Sequence, residues 1–120
     1  MSKPVLILGG GPAGLAAAHS LATVGKQSVI ATDLARLFKL QYYLTEGYRS
    51  VVWCDADFLI FDPQRFILEN ASYAVGREVW IQHDRHGRLK AYRKVHNAFL
   101  MFRRGNPFLD FYTDTAERLL

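Results

Sequence analysis

Apolar and polar positions along this chain fall into blocks of changing period. Pro4-Val5-Leu6-Ile7-Leu8 is an unbroken apolar run that reads as a strand. Residues 15–22 read as a helix rich in small residues, and Ser28-Val29-Ile30-Ala31 as a second strand. Leu34, Leu37, Phe38, Leu40 and Leu44 recur at helical spacing, which predicts a helix over 34–46. Thr32 or Asp33 would cap its start and Gly47 would end it. Ser50-Val51-Val52-Trp53-Cys54 returns to strand-forming, buried residue types. A further apolar run, Phe58-Leu59-Ile60-Phe61, stops at Pro63, and 64–70 reads as a short helix. Residues 73–76, 78–82, 92–96 and 98–102 read as extended segments. Pro107 opens a last helix that sends Phe108, Leu109, Phe111, Tyr112 and Ala116 toward a core. The pattern predicts a single small α/β domain, with a Rossmann-like, mostly parallel sheet opening in a β-α-β unit.

Two places carry candidate chemistry. Asp55 and Asp57 follow the strand at 50–54 and, two apart in an extended chain, would project to the same side. Neighbouring carboxylates repel unless a cation lies between them, and Mn or Mg, with its preference for oxygen, is the usual answer. The alternative is a strand-end turn whose acids satisfy backbone donors. Gly9-Gly10-Gly11-Pro12-Ala13-Gly14 is the second place, a G-x-G-x-x-G run between a strand and a helix. There Gly9 permits the turn, Gly11 admits a pyrophosphate, and Gly14 lets helix and strand pack closely. The helix N-terminus would face the phosphates of FAD or NAD(P). Asp33, 19 residues past Gly14, is spaced to hold the ribose. The other reading of that turn is a tight strand-to-helix connection with no ligand.

The glycine run followed by Leu15 resembles the amino terminus of FAD-dependent oxidoreductases and flavin-containing sugar mutases, over about residues 1–30. Residues 31–120 resemble a different family, the Asp-x-Asp glycosyltransferases of the GT-A type. Asp33-Leu34-Ala35-Arg36, then Asp55-Ala56-Asp57, then His96-Asn97-Ala98-Phe99-Leu100 stand in that family's order. The resemblance implies a metal-dependent transferase acting on a nucleotide-sugar donor and a glycan or other sugar acceptor. It assigns Asp55 and Asp57 to metal and catalysis, and Asp33, Arg36 and Asn97 to donor or acceptor binding. Asp62 is a weaker candidate, since Asp-Pro after a strand makes an ordinary turn. The family's first nucleotide-binding strand and its carboxyl-terminal histidine have no counterpart here, so the sequence reads as a partial core joined to a flavoprotein-like start.

Composition narrows the classes. Half the residues are hydrophobic and 13% aromatic, which argues against disorder. No apolar run reaches the roughly 18 residues of a transmembrane helix. The single cysteine, Cys54, suits a reducing, cytoplasmic setting and reads as a buried strand residue. A net charge of +4 fits nucleotide phosphates or peripheral contact with an anionic membrane, and is too small to argue for nucleic acid. His83-Asp84-Arg85-His86-Gly87-Arg88 offers metal-ligand types, but its glycine and charge density favour a solvated hairpin.

Overall fold

The computed structural model describes residues 3–9, 28–68 and 71–119. In chain order these form β1 (Lys3–Gly9), α1 (Ser28–Thr45), β2 (Tyr48–Cys54), β3 (Tyr73–His83), β4 (Leu89–Arg103) and α2 (Pro107–Arg118). One domain results, with a four-stranded mixed sheet in the order β1-β2-β4-β3. Only β1 and β2 run parallel; β2–β4 and β3–β4 are antiparallel. The expected mostly parallel sheet is therefore not what the described strands form. The connection from β3 to β4 is too short for a crossover, so those strands must pair antiparallel.

Among the described residues β1, α1 and the parallel β2 stand in β-α-β order, but they are not the members the sequence predicts. The segment 28–31, read as a strand, is the first turn of α1. Val29 and Ile30 favour strand only weakly, and an 18-residue helix with a packed face overrides them. That face repeats at helical spacing through the buried Ala31, Leu34, Leu37 and Leu40. Residues 30 and 31, where the two resemblances meet, both lie in α1, and β1 pairs with β2 in one sheet. Gly11, Gly14 and the expected helix 15–22 lie outside the described residues.

β2 is buried on both faces, which accounts for its continuous apolar run. Val51 and Trp53 pack with Leu37, Leu40, Leu100, Phe102 and Leu109 beneath the two helices. Val52 and Cys54 join Met101 on the opposite face, against Phe66, Leu68 and Ala74. Each such large side chain withdrawn from water contributes about 1.5–3 kcal/mol. Asn106 caps α2 by accepting the Phe108 N–H at 2.7 Å, with Pro107 in the first turn. Leu109 is buried, and Tyr112 and Ala116 pack beside it. Phe111, expected inward, is 66% exposed because it lies off the stripe that 109, 112 and 116 define.

The four extended segments of the second half merge into two long strands. β3 spans 11 residues and β4 spans 15, interrupted by one irregularity. Val75 pairs with Leu100 and Gly76 with His96, so residues 97–99 of β4 bulge out of register. At the hairpin tip Asp84 Oδ1 accepts the backbone N–H groups of His86 and Arg88, and Gly87 takes φ +75°. The solvated-hairpin reading of residues 83–88 is the one observed. The helix expected at 64–70 is only a 3₁₀ turn at Pro63–Arg65, with 69 and 70 outside the described residues. Before it, the apolar run at 58–61 forms no strand and stands exposed, Phe58 alone stacking on Phe99 at 5.8 Å between centroids.

Candidate functional site

The candidate site lies where β2 leaves the sheet. Its last strand residue is Cys54. Asp55 N–H then donates to Ala98 O on β4 at 2.9 Å, and Phe58 N–H closes a turn onto Asp55 O at 3.0 Å. Strand alternation therefore ends before the two acids, and Asp55 and Asp57 stand on a turn rather than on one strand face. Asp57 is exposed, while Asp55 is drawn inward.

Arg36 does the drawing. It projects from the packed side of α1 and is only 7% exposed. Its Nη2 lies 3.1 Å from Asp55 Oδ1, and its Nη1 donates to Asn97 O at 2.6 Å. Asp33, one turn earlier, is 3.8 Å from Nη2. The guanidinium sits over the Trp53 ring at 5.0 Å, and Trp53 Nε1 donates to Asp55 Oδ1 at 2.7 Å. A planar cation that stacks on an indole and forks between acceptors is a task for Arg rather than Lys. Both contacts to Asp55 fall on Oδ1, so Oδ2 takes part in neither.

The β4 bulge completes the arrangement. A backbone carbonyl released from a sheet ladder needs another donor, and Arg36 supplies it to Asn97. Ala98 N–H donates to His96 Nδ1 at 3.2 Å. His96 in turn needs Gly76 opposite, because a Cβ there would stand 2.1 Å from its Cε1. A chain of contacts thus runs from Gly76 through His96 and Ala98 to the backbone of Asp55.

Of the residues expected from sequence, Asp33, Arg36, Asp55 and the Asn97 backbone meet around one guanidinium. Asp57 stays outside that cluster on the exposed turn. Gly9 pairs with Cys54, which puts the carboxyl ends of both parallel strands side by side, where open α/β sheets take ligands. A Cβ on Gly9 would meet Cys54 O at 3.8 Å, an ordinary contact, so nothing described demands glycine there. From sequence Trp53 and Tyr112 read only as core residues and His96 only as the start of a family landmark, so none of the three is assigned to the site. An isolated glycine in a strand pattern, Gly76, is the one signal that could have located the bulge.

A cleft of about 630 Å³ opens between β4 and α2, lined by Val75, His96, Asn97, Leu100, Phe108 and Tyr112 among others. It borders the Arg36 cluster: burial raises the Tyr112 hydroxyl pKa, Asp33 raises it further, and Arg36 partly offsets both. Burial, then the Asp55 charge, pushes the Cys54 thiol above its ordinary 9.0, which keeps it protonated at neutral pH and unsuited to nucleophilic attack. Among the described residues no three His, Cys, Asp or Glu side chains gather as a metal site. No helix among them is long and apolar enough to cross a membrane. No family model, curated protein or solved structure matches this chain.

Proposed function

We propose that this chain is a metal-dependent glycosyltransferase core that engages a nucleotide-sugar donor at the turn bearing Asp55 and Asp57. One observation carries the reading. Arg36, Asp55 and Asn97, separated by up to 61 positions, converge on a single cluster at the carboxyl end of β2. The rival FAD or NAD(P) reading loses ground on Asp33, which lies within α1 beside Arg36 and not at a strand end facing a ribose.

Were Mn or Mg bound, the carboxylates of Asp55 and of the exposed Asp57 would be its protein ligands, oxygen donors of the kind these hard cations take. Such a cation, when bound, neutralises charge that builds on the diphosphate as the glycosidic bond opens. Arg36 Nη1 and Nη2 already meet protein acceptors, so its part in this reading is to hold Asp55 in place and balance its charge. Trp53 fixes the same oxygen from below. Asn97 is among the residues lining the apolar cleft, and its side chain is the group this reading assigns to the transferred sugar or its acceptor.

The test is release of nucleoside diphosphate from a panel of nucleotide sugars, with and without manganese. The reading expects manganese-dependent release that Asp55→Asn and Asp57→Asn each reduce at least a hundredfold. Diphosphate binding without release would make the chain a non-catalytic nucleotide-binding module. A purified protein carrying bound flavin would restore the oxidoreductase reading.

A further inference from the structure

Beyond Gly76 and His96 the two long strands leave the sheet. Residues 77–83 and 89–95 pair only with each other among the described strands. A lone two-stranded ribbon is marginal in water and gains from a surface to rest on. The register divides its side chains. Arg77, Val79, Ile81 and His83 lie opposite Val95, Arg93, Ala91 and Leu89 and share one face. On it Val79 is 61% exposed, and Ile81, Leu89 and Val95 are each 70% exposed. The other face carries Trp80 opposite Tyr92, with Lys94 seated on the indole at 3.9 Å and Lys90 at 5.4 Å from the Tyr92 ring.

Charge is concentrated in the same ribbon. Between residues 73 and 96, Arg77, Arg85, Arg88, Lys90, Arg93 and Lys94 stand against only Glu78 and Asp84. That surplus of four equals the net charge of the whole chain, +4, so the remainder is neutral. We propose that the β3–β4 arm docks on an anionic lipid surface, its aliphatic face toward the acyl boundary, with Arg77 and Arg93 of that face and Arg85 and Arg88 of the hairpin tip among the headgroups. Exposed aliphatics that share their face with Arg77 and Arg93 suit that boundary. They suit single-stranded nucleic acid poorly, since bases stack on open aromatic faces and Lys90 and Lys94 occupy those of Tyr92 and Trp80. A second copy would bring arm against arm with like charge.

Full-length protein is sedimented with vesicles of phosphatidylcholine alone, or of phosphatidylcholine with phosphatidylserine, across a salt series. The proposal expects co-sedimentation only with the anionic vesicles, released as salt rises. Each of Arg77→Gln, Arg85→Gln and Arg93→Gln should weaken binding about fivefold, the factor for about 1 kcal/mol per charge near such a surface. Val79→Ser with Ile81→Ser should weaken it as well, with the far-UV spectrum unchanged. Equal binding to neutral vesicles, or none to anionic ones, would overturn the proposal. Tighter retention by a single-stranded oligonucleotide would reassign the arm to nucleic acid. A dimer in solution that the Val79→Ser, Ile81→Ser variant dissolves would reassign it to a second copy.

Discussion

The two ends of β4 face opposite conditions. Its carboxyl end, Leu100 to Phe102, lies between β2 and β3 under the helices and is buried. Its amino end, on the arm, pairs with β3 alone, and Leu89 and Val95 are each 70% exposed. Side-chain hydrophobicity is similar in both; what differs is whether a layer covers them. The bulge at 97–99 marks the boundary, and the candidate site is built on it. There a strand that must remain paired to β2 lets go of β3, and Arg36 and His96 take up the freed backbone groups. Local irregularity thus comes with a buried cation, and the site and the disruption of the sheet have one cause.

Substitutions that grade along β4 sharpen this contrast. Phe102→Ala, at a fully buried ring, should cost about 3–5 kcal/mol of stability in urea denaturation. Arg36→Met leaves Asp55 without its cation, and the expected loss is about 3 kcal/mol, the low end for a buried pair because Asp55 keeps 30% exposure. Adding Asp55→Asn to Arg36→Met should recover part of that loss, since no unpaired charge then remains. Independent, additive losses would show that the two side chains do not act as a pair. At the boundary itself, Gly76→Ala should cost about 1–3 kcal/mol by displacing His96. His96→Ala placed in the Gly76→Ala background should then be milder than His96→Ala alone. On the arm, Val79→Ser and Ile81→Ser should each change stability by no more than about 0.5 kcal/mol, although both remove large apolar groups. A large loss there would mean the arm is covered, and the contrast would collapse.

The sequence exposed the core more readily than the site. The stripe of Leu34, Leu37 and Leu40 and the run from Val51 to Cys54 were legible because burial imposes their periodicity. Ser28-Val29-Ile30-Ala31 misled because four residues are too few to separate strand from helix. Sheet direction was hidden too, since it depends on which strands meet and not on their composition. In the site, Arg36, Asp55 and Asn97 could be proposed as partners from short motifs. Nothing local revealed that the strand ends at Cys54, which removes the alternation on which the pairing of Asp55 with Asp57 rested. The role of the Asn97 carbonyl was equally out of reach, because it follows from a register shift three strands into the fold.

The most direct test of the proposed site is manganese binding read by electron paramagnetic resonance, where free ion gives a signal that binding suppresses. With a nucleoside diphosphate present, the intact chain should quench the free-manganese signal, and Asp57→Asn should restore it while leaving the folded spectrum intact. An unchanged manganese signal with the intact chain, or equal quenching by Asp57→Asn, would contradict the assignment of the Asp55–Asp57 turn as a metal-diphosphate site.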